Sequence, residues 1–195
     1  MTAAMVFLLG MLGTYLAGSI NFAILLFRLL GKDDPRRCLS GNAGVTNVYR
    51  QAGWPLAALV LVLDMGRAMG VALLAGHYWA DALVPWAGLG LILGNHFSFF
   101  HGWPCSKGVA NYLGFYALLL PLGTALALAV YLMVFALTRI SFLGSFGILA
   151  TLTGFAWVRW GHEPFALAAV LITATSIVWF HRRNIAVLRQ RKGVR

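Results

Sequence analysis

The sequence predicts an all-α integral membrane protein, a seven-helix transmembrane bundle with its N-terminus outside and its C-terminus in the cytoplasm. Three observations predict it. Of 195 residues, 61% are hydrophobic and only 10% charged, whereas a soluble domain is about a quarter charged. The apolar residues fall in runs long enough to cross a bilayer, and the basic residues collect between alternate runs. No stretch shows the alternating ~10-residue strands of a membrane barrel, so every backbone polar group must be satisfied within helices. A disordered chain, a disulfide scaffold and an ordinary cytosolic enzyme are excluded.

The runs cover 3–30, 54–76, 82–100, 109–120, 122–137, 140–158 and 164–181. A spanning helix needs ~20 apolar residues, with ~17 as a lower limit. The first three runs, the sixth and the seventh qualify. The stretch 109–137 is too long for one helix and short for two; Pro121 and Gly123 divide it, since a helix usually ends before a proline. Seven spans result, with six as the alternative. The first run has no basic leader and no cleavage site, and it exceeds a signal peptide's apolar core, so it is expected to remain as a helix. Gly10, Gly13, Gly18, Gly90 and Gly94 read as close-packing positions between helices. The whole chain, 1–195, reads as one transmembrane domain, and a monomer is the expectation.

Fifteen Lys and Arg stand against five acids, a net charge of +10. With the N-terminus outside, one side of the membrane receives Arg28, Lys32, Arg36, Arg37, Arg50, Lys107, Arg139 and the tail from Arg182 to Arg195; the other receives only Arg159. The positive-inside rule makes the first side cytoplasmic, and an even number of spans would spoil the asymmetry. Charge so placed suits anionic head groups and phosphorylated substrates better than nucleic acid. Cys38 and Cys105 fit neither a disulfide framework nor a metal site, so both read as free thiols, and no metal or organic cofactor is indicated.

Three polar segments share the basic face. In Ser40-Gly-Asn-Ala-Gly-Val-Thr-Asn-Val-Tyr-Arg50, the residues Val45, Val48, Tyr49 and Ala52 fall at i, i+3, i+4 and i+7, an amphipathic turn with Thr46, Asn47, Arg50 and Gln51 on its other face. The glycine-rich lead-in either brings bare amides to a helix N-terminus, a phosphate site, or is simply a capped turn. In the second segment, 101–108, Pro104 breaks one helix and Ser106-Lys107-Gly108 opens the next. A lysine there opposes the helix dipole, which points to an added anion; the alternative is a positive-inside lysine. The P-loop spacing is absent. In the third segment His181 and Asn184 stand one turn apart and point the same way, while Arg182 reads as an interface anchor.

Within the second span, Asp64 and Arg67 are spaced i, i+3. Charges there cost ~2.5–3.5 kcal/mol on insertion scales, and a structural ion pair facing the bundle is the expected reading. Asn95 and His96 read as polar interhelical contacts, and His77 and His162 as bystanders.

Together the three segments resemble the PlsY family, the bacterial acyl-phosphate:glycerol-3-phosphate acyltransferases. Ser40–Arg50 is similar to the family's SGNxGxTNVxR, Lys107-Gly108-Val109-Ala110 to the end of its FKGGKGVAT, and His181-Arg182-x-Asn184-Ile185 to its HRxNI. The order, spacing and hydropathy agree over nearly the whole chain. Four places depart from the pattern. DxxKG reads Asp64-Met-Gly-Arg67-Ala68, and GHxFPVF reads Gly94-Asn95-His96-Phe97-Ser98-Phe99-Phe100. FKGGKG reads Trp103-Pro104-Cys105-Ser106-Lys107-Gly108, and HREN reads His181-Arg182-Arg183-Asn184.

The resemblance implies transfer of a fatty acyl group from acyl phosphate to the 1-hydroxyl of glycerol 3-phosphate, giving lysophosphatidate and phosphate, at the cytoplasmic face of the bacterial inner membrane. It implies catalytic roles for Ser40, Arg50, Lys107, His181 and Asn184. It implies substrate and phosphate contacts at Gly41, Asn42, Gly44, Thr46, Asn47, Ser106 and Gly108. The proton acceptor is either His181 or the departing phosphate, because the HxxxxD pair of other glycerolipid acyltransferases is absent. The departures leave open a paralogue with another acceptor or donor, and Asp64–Arg67 leaves open a small transporter with an intramembrane relay.

Overall fold

A computed structural model describes residues 2–193; the side chains of Arg191 and Lys192 and the whole of Arg195, counted in the basic tail above, lie outside the described residues. The described residues are helical apart from loops, two 3-10 turns and one isolated bridge between Ser98 and Gly102. The helices are α1 (Ala3–Ser19), α2 (Phe22–Leu29), α3 (Val45–Tyr78), α4 (Val84–His96), α5 (Val109–Leu119), α6 (Pro121–Thr138), α7 (Ser141–Trp160), α8 (Pro164–Phe180) and α9 (Arg182–Gly193). By length and composition α3, α6 and α7 are each able to cross a membrane, and the bent pairs α1–α2 and α8–α9 raise the number to five. The α4 and α5 helices are shorter, and α5, at ~1.5 Å per residue, reaches only partway through a ~30 Å hydrocarbon layer.

Sequence and structure part in three places. The first apolar run is not one helix: it bends by 40° between α1 and α2. Asn21 causes the break, accepting the Ile24 amide at 3.0 Å as a cap while donating to the Ala43 carbonyl at 3.3 Å. The freed Ile20 carbonyl accepts from the Arg67 guanidinium. Second, the turn that begins at Val45 continues into the following span as α3, kinked at Gly53, whose φ of 80° only glycine adopts readily. Its apolar face is also rotated from expectation, since Tyr49 is exposed and Asn47 buried, with Val48 inward. Third, the basic tail forms the helix α9. The proline boundary at 121 lies where the sequence puts it, between α5 and α6.

The core lies among α3, α4, α5, α7 and α8 and includes Ala68, Leu91, Tyr112, Phe115, Leu152 and Trp160. Helix α1 packs on α4, α3 on α5 and α6 on α7. Small residues let backbones approach where lipid supplies no hydrophobic force between helices. A methyl group on Gly94 would collide with the Tyr15 carbonyl, and one on Gly18 with the Leu91 carbonyl. Gly13, expected to share this role, faces open space. Gly94→Val is therefore expected to destabilise the protein by about 2–3 kcal/mol, the upper range for overpacking. Gly13→Ala should leave the melting temperature in detergent unchanged or slightly raised. A normal melt for Gly94→Val would contradict the α1–α4 contact.

Candidate active site

A second, smaller core holds Ala23, Ile24, Phe27, Ala43, Val48, Val60 and Cys105, and it ties the glycine-rich loop to the loop before α5. The Ala43 amide donates to the Cys105 carbonyl at 3.0 Å, so the first two polar segments share a backbone link. The second loop is itself folded back on the end of α4. Cys105 donates its amide to the His96 carbonyl at 2.9 Å, Ser106 donates to the Asn95 carbonyl at 3.1 Å, and His96 Nδ1 lies 2.7 Å from the Ser106 carbonyl oxygen. The His96 ring stacks on Phe180, with centroids 3.5 Å apart. Asn95 and His96, two positions where the chain departs from the family pattern, thus shape this loop. Burial pushes the Cys105 thiol up to about 12, so it stays protonated and is no nucleophile.

Asn47 clamps the first loop. Its buried amide nitrogen donates to the carbonyls of Pro35 and Asn42, both at 2.8 Å, and its oxygen accepts from the Ser40 amide at 3.4 Å. The loop occupies both ends of this side chain, so Asn47 positions Ser40 and Asn42 and has no polar atom left for a phosphate. The Gly41 and Ala43 amides are likewise committed, to the carbonyls of Cys38 and Cys105. Among the described residues, the amides of Asn42, Gly44, Val45 and Thr46 have no acceptor, and these form the donor row at the N-terminus of α3.

A cavity of about 820 Å³ opens between this row, the start of α5 and the start of α9. Its lining includes Ser40, Arg50, Lys107, His181 and Asn184, all five residues singled out as catalytic. Asn42, Gly44, Thr46, Asn47, Ser106 and Gly108 also line it; Gly41 does not. Gly108 caps α5 with φ of 86°, a left-handed turn that suits glycine, and leaves the Val109 and Ala110 amides without backbone acceptors. Lys107 Nζ donates to Asn184 Oδ1 at 2.5 Å, joining the second and third segments. Burial, with the Arg50 charge as a further cause, holds the Lys107 ammonium down at about 8. The single-pocket arrangement of Arg50 and Lys107, 57 positions apart, is thus present.

His181 is buried, and its Nδ1 lies 2.8 Å from the Ile177 carbonyl, which fixes that nitrogen as the donor and Nε2 as the acceptor. Arg182 lies outside the lining and stacks on Trp179, 4.0 Å from its ring centroid.

The sequence reading missed a third side of the cavity. Arg139, Ile140 and Ser141 reach it from the α6–α7 turn, and Arg183 from α9. A hydroxyl chain runs from Thr46 to Ser141 (3.1 Å) and on to Tyr131 (3.1 Å). The available signal is Thr138-Arg139-Ile140-Ser141, a cation and hydroxyls at a helix start. N-termini of α3, α5 and α7 therefore converge with Arg50, Lys107, Arg139 and Arg183 on one space, a strong concentration of anion-binding potential. Leu61, Leu113, Leu128 and Ile148 give the cavity an apolar wall. Among the described residues no group of three His, Cys, Asp or Glu converges, so no residue set is assigned to a metal.

Apolar side chains and four cations thus line one cavity. The glycerol-3-phosphate acyltransferase family model matches residues 8–191. The chain belongs to that family. It is 40% identical to the glycerol-3-phosphate acyltransferase of Azotobacter vinelandii over 94% of this chain and 96% of that one. It is 40% identical to the enzyme of that name from Pseudomonas syringae over 88% of each. Crystal structures of PlsY, an integral membrane glycerol 3-phosphate acyltransferase, superpose with TM-scores of 0.86 for its glycerol 3-phosphate form and 0.84 for its lysophosphatidic acid form. In both, identity is 28% and coverage 95% of this chain and 92% of the other. The family membership agrees with the motif resemblance, and the four departures lie inside a chain that matches over nearly its whole length.

Proposed function

We propose that this acyltransferase moves a fatty acyl group from acyl phosphate to the 1-hydroxyl of glycerol 3-phosphate, forming lysophosphatidate for phospholipid synthesis. The observation that carries the proposal is the convergence of Ser40, Arg50, Lys107, His181 and Asn184 on one cavity with an apolar wall. The protein works as a single seven-span domain of the bacterial inner membrane, N-terminus outside. The gathering of Arg50, Lys107, Arg139 and Arg183 at the cavity supports a cytoplasmic site, while Arg159 pairs with Asp81 at 2.7 Å elsewhere.

Two phosphates meeting in one site repel each other unless cations and oriented amides neutralise them. Arg50 grips one phosphate with its planar fork, and Lys107 acts as a point charge held in place by Asn184. The free amides of Asn42 and Gly44, with the Ser40 hydroxyl, hold the second phosphate or the oxyanion that develops on the acyl carbonyl. The glycerol O1 attacks the acyl carbon, and the bond from that carbon to the phosphate oxygen breaks. The O1 proton passes to the departing phosphate, so ester and hydrogen phosphate are the products. His181 is held through Nδ1 by the Ile177 carbonyl, which leaves Nε2 facing outward. It serves as a neutral acceptor that orients a substrate hydroxyl. The mixed anhydride is a good leaving-group system, and the protein's task is to position it and neutralise charge.

Purified protein in micelles, given palmitoyl phosphate and glycerol 3-phosphate, is expected to release phosphate only when both are present, in step with lysophosphatidate. Activity with acyl-CoA or acyl-carrier protein in place of acyl phosphate would overturn the donor assignment. Consumption of a different acceptor at higher efficiency would overturn the acceptor.

A further inference from the structure

Against the four cations that line the cavity, one carboxylate among the lining residues stands alone: Asp64, on the membrane-buried part of α3. It is 2% exposed. Its Oδ1 accepts from Arg67 Nη2 at 3.0 Å, the ion pair the sequence leads one to expect. Its Oδ2 receives no hydrogen bond from any described residue. The two terminal nitrogens of Arg67 are shared with the Ile20 carbonyl, Asn111 Oδ1 at 2.6 Å and Asn95 Oδ1 at 3.4 Å, and its Nε, which has no partner among the described residues, does not reach Oδ2. Anchored on three other elements, it contacts Asp64 through one oxygen only. A carboxylate oxygen that has no protein donor and lies on a cavity wall is open to a hydroxyl of a bound ligand.

The place of Asp64 in the cavity lining and its acceptor-only chemistry narrow what that ligand is. Arg67 Nη2 ties Asp64 to Asn111, the third residue of α5, so the carboxylate lies near the first turn of this helix. An anionic oxygen repels phosphate and accepts only from donor groups. On the reaction proposed above, on which this inference rests, the donors in the two substrates at neutral pH are the two glycerol hydroxyls. The 1-hydroxyl gives its proton to the departing phosphate.

We propose that Asp64 is a specificity-determining residue that accepts a hydrogen bond from the 2-hydroxyl of glycerol 3-phosphate through Oδ2. This contact orients the acceptor so that O1, not O2, faces the acyl carbon. Arg67 is a positioning residue that keeps Oδ1 occupied and Oδ2 aimed into the cavity.

The test measures kcat/KM for glycerol 3-phosphate and for 3-hydroxypropyl phosphate, which lacks only the 2-hydroxyl, with palmitoyl phosphate as donor. The wild type is expected to favour glycerol 3-phosphate by about ten- to a hundredfold, the value of a charge-assisted hydrogen bond. In Asp64→Asn the bond loses its charge, and the preference should fall several-fold, through loss on glycerol 3-phosphate alone. In the double variant Asp64→Leu/Arg67→Leu, which leaves no unpaired buried charge, the preference should vanish. Equal losses on both acceptors would make Asp64 a purely structural partner of Arg67 and overturn the proposal, as would a wild type that does not discriminate. If the double variant does not fold, Asp64→Asn decides alone. A wild type inactive with glycerol 3-phosphate would instead refute the proposed reaction, and this inference with it.

Discussion

Lys107→Ala is expected to lower kcat/KM about a hundredfold or more, the range seen when one oriented donor to a developing anion is removed. The ammonium is half-buried, bonded to Asn184 at 2.5 Å, and shares the cavity with Arg50. Its loss removes a charge from the phosphate and leaves Asn184 without its donor. The pH profile of the wild type tests the same group. Burial holds Lys107 at about 8, so the charged form prevails below that value and disappears above it. The kcat/KM, which reports the free enzyme, should therefore fall as pH rises through about 8. A bound phosphate favours the charged form, so the fall in kcat should lie at higher pH. Stability moves the other way. From about 8 up to the ordinary lysine range the unfolded chain binds more protons, and folding becomes more favourable with rising pH. An alkaline loss of activity with intact melting is the expected pair of results. A profile flat from pH 7 to 9.5 would remove Lys107 from the phosphate.

Arg50→Lys is expected to cost about ten- to a hundredfold in kcat/KM, equivalent to about 1.5–3 kcal/mol, with the melting temperature unchanged. The charge survives but the planar fork does not, and lysine cannot grip a phosphate through two parallel bonds. Arg50 is exposed and belongs to no ion pair among the described residues, so folding does not depend on it. Arg182→Ala is the control. That side chain stacks on Trp179 outside the lining, and its loss should change activity by less than about twofold. Full activity in Arg50→Lys, or a large loss in Arg182→Ala, would reassign the cationic contacts.

Much of this site was legible because its residues sit in three compact segments, each with a local signal. Ser40 to Arg50 combines glycines, hydroxyls and a cation; Lys107 follows a helix breaker; His181 and Asn184 share a helical face. Asn47 shows where local signals fail. Its spacing puts it on the polar face of the turn, and the family resemblance implies a phosphate contact there, yet the loop turns back over it and takes both ends of its amide. Arg139 and Ser141 were missed for the converse reason. They join the site only because α6 and α7 pack together and bring their turn over Thr46, 95 positions away.

The sequence by itself determined the class of the protein and the residue types of its site, because hydropathy, prolines and short motifs act within a few turns of chain. It determined that α5 and α6 divide at Pro121, that Asp64 and Arg67 pair one turn apart, and that both cysteines are free thiols. The tertiary structure decided what depends on packing between distant segments. The break at Asn21 follows from its bond to the Ala43 carbonyl, 22 positions away. The link between Lys107 and Asn184 spans 77 positions. Arg67 meets Asp64 through one oxygen while its terminal nitrogens also reach Ile20, Asn95 and Asn111 on other elements. Periodicity orients a side chain about its own helix axis. Only the packing of the helices decides what that side chain meets.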